Sequence, residues 1–273
     1  MGNNLTDRNE QVRRLVDKSF YGSPLPPGDG HRAFPAKLWH APEAVEAGAL
    51  KGLLANRVLH ALPGEDFEGL LPSLEPVTLS VRDNLGDASE ARHVYFPEDA
   101  VFSHLVVFED GSTVETAMTG REGVVGLGSV CGHHAPTHWP RVTLPGAALR
   151  MRADLFRQEF AGREALRRLL LEEMGRHAAQ VSQRAACINR HRIESRLCAW
   201  LLMLHDRASS DDLPLTQEFI ARRIGARRAG VSEVFRTLQE RRLVGHSRGF
   251  VRVVDRPGLE AAACECYEVL RQN

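Results

Sequence analysis

The chain has 273 residues, 43% of them apolar, with 35 acidic and 35 basic side chains. This is enough apolar material for two packed cores, and it excludes a disordered or fibrous polymer. Zero net charge gives the whole chain no electrostatic pull on a polyanion, but the charge is unevenly placed: residues 221–256 hold ten arginines against three acids, +7, so the remainder sums to −7. Such asymmetry points to a polyanion partner for one part of the molecule.

The first twenty residues carry Asp7, Arg8, Glu10, Arg13, Arg14, Asp17 and Lys18, which leaves no signal-peptide core. The longest apolar run, Leu197 to Leu204, is far shorter than the ~20 residues that span a bilayer. A cytoplasmic protein without membrane contact is expected. Residues 1–48, with Ser23-Pro24-Leu25-Pro26-Pro27-Gly28, lack a sustained period and read as a flexible extension. Leu53, Leu54, Val58, Leu59 and Leu62 then stand at helical spacing, and Asp66 to Leu71 make a second brief helix.

From Val77 to Met151 the period becomes two. Val77, Leu79 and Val81 alternate with polar residues, Val94-Tyr95-Phe96 follows, and the run Val101–Phe108 meets Asp110-Gly111, a strong hairpin signal, before Val114–Met118 returns. Gly120, Gly123, Gly126 and Gly128 punctuate the chain, and Val142–Met151 supplies the last strands around Pro145-Gly146. Residues 49–160 are therefore predicted to form a small antiparallel β-roll of jelly-roll type.

After Asp154 the period is helical. Leu170, Met174, His177, Val181 and Ile188 recur in steps that suit a helix meeting a partner helix, so residues 161–190 are predicted to be a dimerisation helix. The same stripe would also suit a helix packed on its own domain.

Residues 191–273 carry the clearest local grammar. Thr216 is a good N-cap, Phe219, Ile220 and Ile224 give the helix a buried face, and Gly225 stands where a left-handed residue ends it. A turn through Ala226-Arg227 leads to a second helix that buries Val231, Val234, Phe235 and Leu238 and displays Arg228, Ala229, Ser232, Glu233 and Arg236. Leu243 to Val253 reads as a hairpin with Ser247-Arg248-Gly249 at its tip. Two short helices with a glycine turn, a polar second face and a basic-tipped hairpin are what a DNA-reading winged helix-turn-helix needs. Thr216, Gln217, Arg227, Arg228, Ser232, Glu233, Arg236 and Arg248 are the candidate DNA contacts.

In these features, and most specifically in Thr216-(x8)-Gly225-(x2)-Arg228-(x2)-Val231-(x6)-Leu238, the chain resembles the Crp/Fnr family of bacterial transcription regulators over about residues 54–256. The resemblance implies an α+β chain with an N-terminal cyclic-nucleotide-binding-like β-roll, a long dimerisation helix and a C-terminal winged helix-turn-helix. It implies a homodimer on a near-palindromic DNA operator, with RNA polymerase as a further partner and no enzyme activity. The residue matching Arg228 reads a guanine in the family. Here Ala229 follows it where the family often has glutamate, and Glu233 stands where many members have arginine, so a different operator is expected.

The family's cyclic-AMP pocket uses a Gly-Glu pair and an Arg-Ser or Arg-Thr pair. The corresponding stretch reads Gly126-Leu127-Gly128-Ser129, no acid occurs from Gly123 to Ala153, and Val142 follows Arg141. A member that does not bind cyclic AMP is expected, with its cofactor or effector unknown. The family's iron-sulfur branch uses N-terminal cysteines, and none precedes Cys131.

Cys131, His133, His134 and His138 crowd one loop that could ligate a metal or haem, although no spacing template is met and a polar surface loop is favoured. A metal hydrolase using that loop, with Glu122 as base, is the competing class, but it leaves the basic C-terminal unit unexplained. A third reading makes the β-roll a protein-contact platform only. The five cysteines, Cys131, Cys187, Cys198, Cys264 and Cys266, are odd in number and read mostly as buried thiols in a reducing compartment. On a helix Cys264 and Cys266 would point about 200° apart and make poor joint ligands.

Overall fold

The computed structural model describes residues 47–81, 83, 85, 92–129, 138–247 and 249–272. All but the last two residues of the predicted flexible extension lie outside them. Three short helices come first: α1 (Ala47–Leu53), α2 (Arg57–Ala61) and α3 (Gly64–Leu70). The apolar patch predicted as one helix is broken at Asn56, whose side-chain oxygen accepts from the Leu59 N–H and caps α2. The Asn56 amide donates in turn to the carbonyls of Pro97 and Gly123. A capping residue thus ties the helices to the sheet beneath.

Six strands follow: β1 (Glu75–Leu79), β2 (His93–Pro97), β3 (Val101–Val107), β4 (Thr113–Thr119), β5 (His138–Leu144) and β6 (Gly146–Arg152). They form two antiparallel three-stranded sheets, ordered β1-β6-β2 and β4-β3-β5. The chain changes sheets at Pro145, since β5 pairs with β3 while β6 pairs with β1 and β2. Leu79, Tyr95 and Ala148 of the first sheet meet Phe102 and Val142 of the second, closing the predicted β-roll around them. The β3–β4 hairpin turns at Asp110-Gly111, where Gly111 has φ 78°, a conformation glycine adopts without a Cβ clash.

Helix α4 (Ala153–Gly162) and the first turns of α5 (Glu164–Arg190) join α1–α3 in covering the first sheet, with Phe96, Leu149, Phe156, Leu166 and Leu170 in one core. At 27 residues α5 is about 40 Å long. Its inner face carries Leu166, Leu170, Glu173, Gln180, Arg184 and Cys187, all buried within the chain itself. Leu170 of the expected dimer stripe is fully enclosed in its own domain, and the neighbouring Leu171 is exposed, at 56%. His177 stacks edge-on against His104 at 4.6 Å, so it too serves the chain's own packing.

Helix α6 (Ile193–His205) buries every residue from Arg196 to Leu204. Around it lie β7 (Asp212–Leu213), α7 (Gln217–Ile224), α8 (Arg228–Glu240), β8 (Val244–Ser247), β9 (Phe250–Val253), α9 (Arg256–Ala262) and α10 (Cys266–Gln272). Their core is continuous with the β-roll through Val101, Met118 and Leu144. No helix among the described residues is long and apolar enough to cross a membrane.

One polar cluster crosses this junction. Glu115, on β4 beside a register shift in the β3–β4 ladder, is fully buried and accepts hydrogen bonds from Ser103 and from the Trp200 indole N–H of α6, the latter at 2.7 Å. Arg184 of α5 stands 3.6 Å from the same carboxylate. Arg223 of α7 is also buried, its guanidinium 4.3 Å over the Phe219 ring, and burial lowers its pKa to about 10 against the opposing pull of Glu115. A single acid therefore offsets buried cations from two helices. Glu115→Gln is expected to destabilise the protein by about 3–5 kcal/mol, because it leaves buried guanidinium charge uncompensated; urea unfolding followed by tryptophan fluorescence measures it.

Candidate nucleic-acid interface

Helix α7 begins where its cap dictates: Thr216 is extended, and its hydroxyl accepts from the Phe219 N–H at 3.1 Å. It ends at Gly225, which sits in the left-handed region at φ 63°, where a Cβ would be strained. Ala226 and Arg227 make the turn, and α8 starts at Arg228 with no side-chain cap. Val231, Phe235 and Leu238 are buried, and Arg228, Ser232 and Arg236, four residues apart, form a stripe along the flank of that face, with both arginines exposed.

The two helices are pinned together at Ser232, whose hydroxyl donates to the Gln217 side-chain oxygen at 2.7 Å. Arg227, Arg228, Glu233 and Arg236 are exposed, with Arg228 the clearest case at 71% of its side chain. Glu218, which the sequence reading passed over, lies 3.0 Å from Arg222 and 3.8 Å from Arg228. Its signal was present as an i,i+4 pair with Arg222. It steadies the Arg228 guanidinium at the start of α8 without burying it.

The wing is the β8–β9 hairpin, in register from Val244↔Val253 to Ser247↔Phe250, with β7 adding a third strand on the β9 side. Gly249 at its tip has φ 83°. Arg248 lies outside the described residues.

The +7 charge of residues 221–256 is less available than the sequence suggests. Arg241 pairs with Glu194 at 2.8 Å, Arg252 with Asp212, and Arg256 with Asp206 and Glu260, while Arg223 is inside. The acids that take these arginines lie outside the counted segment, so a window count could not find them.

Other predicted sites fare differently. Cys131, His133 and His134 lie outside the described residues, and His138 is placed only as the first residue of β5. Glu122 is already engaged, accepting from Arg207 at 2.7 Å and from the Gly120 N–H. Burial would raise its pKa, but the adjacent Arg207 charge and these hydrogen bonds outweigh it and hold the carboxyl below its usual value. A carboxylate so held is a poor general base.

Residues 195–262 match the family model for the Crp-like helix-turn-helix domain. No curated protein matches the chain in sequence. Among solved structures, a Crp/Fnr-family transcriptional regulator from Eubacterium rectale superimposes with a TM-score of 0.61 at 14% identity, covering 76% of this chain and 98% of its own. FixK2 from Bradyrhizobium japonicum gives 0.58 at 15% identity, covering 70% and 98%. The c-di-GMP-responsive regulator CLP from Xanthomonas campestris gives 0.55 at 15%, covering 71% and 100%. Identities this low speak for the fold alone: the β-roll, long helix and helix-turn-helix domain together make a Crp/Fnr-like fold.

Arg228→Ala in the Crp-like domain is expected to cost roughly 1–3 kcal/mol of DNA affinity and to relax preference at one base pair per half-site. Selection from a random duplex library, wild type against variant, reads both.

Proposed function

We propose that this protein is a homodimeric, sequence-specific DNA-binding transcription regulator of the cytoplasm, working with RNA polymerase at near-palindromic operators. The observation that carries the reading is the stripe Arg228, Ser232 and Arg236 along the flank of a helix whose inner face is buried. Arginine's fork pairs with guanine O6 and N7 in the major groove, and Gln217 and Ser232 stand beside it to orient or read the neighbouring edge. Arg227, Arg236 and the wing arginine Arg248 then serve the phosphates. Mobility-shift titration with the selected duplex tests the reading; binding that is indifferent to sequence would reject it.

Two copies are needed because half-sites lie about 34 Å apart and a rigid element must hold the recognition helices at that spacing. The seam we propose keeps Met174, Val181 and Ile188 of the expected stripe and takes Leu171 and Ala178 in place of Leu170 and His177, with Ala185 added. These alternate in steps of three and four along the outer side of α5, the spacing of two helices packed side by side. Leu171→Lys together with Val181→Lys is expected to give monomers with at least a hundredfold weaker operator binding and unchanged secondary structure. Sedimentation and circular dichroism check this.

The β-roll is proposed to answer to something other than cyclic AMP. A buried ribose needs a carboxylate partner, and Gly123 to Ala153 provide none. Arg141, the candidate phosphate ligand, lies 5.0 Å over the Trp139 ring and donates to the Pro140 carbonyl. The fold tolerates other effectors, as the c-di-GMP-responsive neighbour illustrates. Calorimetry with micromolar cyclic AMP is expected to show no heat of binding and no gain in operator affinity.

A further inference from the structure

The end of α5 and the link between α9 and α10 bring three cysteines and a histidine together. Cys187 occupies the last turn of α5, and His191 is its C-cap four residues on, on the same face. Cys264 lies between α9 and α10, and Cys266 opens α10, so the two do not share a helix as their spacing was read. Their separation along a broken helix lets both turn inward. Ligand atoms of Cys187, His191, Cys264 and Cys266 all lie within 4.8 Å of one another. The Cys187 and Cys264 sulfurs are 3.6 Å apart, and the Cys266 sulfur is 3.5 Å from His191 Nδ1.

These two separations match edges of a coordination tetrahedron. With metal–sulfur bonds near 2.3 Å and metal–nitrogen bonds near 2.0–2.1 Å, a tetrahedral zinc site separates its ligands by about 3.8 Å for two sulfurs and about 3.6 Å for sulfur and nitrogen. A multi-iron cluster would hold its cysteines farther apart, because an inorganic core lies between them.

The surroundings support the same reading. His191 Nε2 faces Glu265 Oε1 at 3.2 Å, the outer carboxylate that fixes a metal-bound imidazole and leaves Nδ1 free to ligate. Gln183 donates to the Cys266 sulfur at 3.1 Å, an interaction that steadies a thiolate. Arg196 is nine-tenths buried, and its Nε has no partner among the described residues. A divalent cation with three thiolates and a neutral imidazole carries one net negative charge, which offsets that buried guanidinium.

We propose that Cys187, His191, Cys264 and Cys266 form a mononuclear site for a thiophilic divalent cation of the zinc class, clamping α10 to the end of the long helix. The site lies at the joint between α5 and the helix-turn-helix domain, so its occupancy fixes the angle at which that domain leaves the long helix.

The test loads the intact, reduced protein with Co²⁺ and then with Zn²⁺. The expected result is one Co²⁺ per chain, with thiolate-to-cobalt charge transfer in the near ultraviolet and intense tetrahedral d–d bands in the visible, both abolished when Zn²⁺ displaces it. Cys264→Ser and Cys266→Ser lose charge-transfer intensity. His191→Ala, at a partly exposed position that does not endanger folding, shifts the d–d bands and weakens binding. Glu265→Gln keeps the spectrum but weakens Zn²⁺ by about tenfold or more, and Cys131→Ser changes nothing. Absence of charge transfer in the intact protein would overturn the proposal. So would an unchanged spectrum in His191→Ala, loss of the bands in Cys131→Ser, or a Cys187–Cys264 disulfide as the stable form under thiol reductant.

Discussion

A buried carboxylate holds the parts of this molecule in one arrangement. Glu115 belongs to the β-roll, Arg184 to the long helix and Trp200 to the helix-turn-helix domain, and all meet at one side chain. A charge in an apolar interior is costly unless its partners are in place, and here Ser103, Arg184 and Trp200 all come from elements other than Glu115's own strand. The arrangement is therefore closer to all-or-none than to a hinge with graded freedom. Moving the DNA-binding domain away from the sheet would leave an acid and two guanidiniums seeking water at once.

This constraint reaches α8 through α7. Arg223, in the Glu115 field, is buried on α7, and a Cβ on Gly225 would come within 3.5 Å of Val114 on β4. The helix-turn-helix corner thus rests on the same strand that carries Glu115. Since Ser232 is bonded to Gln217, the placement of α8 follows that of α7. An event that shifts β4 has a short mechanical route to Arg228.

The sequence disclosed best what is decided locally. Thr216 and Gly225 were legible because caps depend on a few consecutive dihedrals, and the Asp110-Gly111 hairpin was legible for the same reason. The long helix was legible as a helix but not in its facing. It carries two interleaved stripes, and the inner one turns polar at Glu173, Gln180 and Arg184 because it serves the junction. Apolar spacing alone does not separate the two, since Leu170 is enclosed and its neighbour Leu171 is exposed. The arginine count overstated the open charge because partners such as Glu194 and Asp206 lie outside the window in sequence and adjacent to it in space. The cysteine grouping was hidden by a helix break at Ala263 that no strong breaker residue announces. Glu115 gave no signal at all: one acid in a strand that also holds Thr113, Thr116 and Thr119 reads as a solvent-facing residue.

The indole of Trp200 also makes the junction observable. Its N–H is committed to a carboxylate and its ring is wholly enclosed, whereas Trp139 sits in β5 beneath Arg141, away from the helices. Two of the chain's three tryptophans thus sit on opposite sides of that junction, and Trp39 lies outside the described residues. With Trp39 replaced by phenylalanine, emission from Trp200 shifts to the red when the domains part and emission from Trp139 does not, so the chain carries its own optical gauge of docking, without a label.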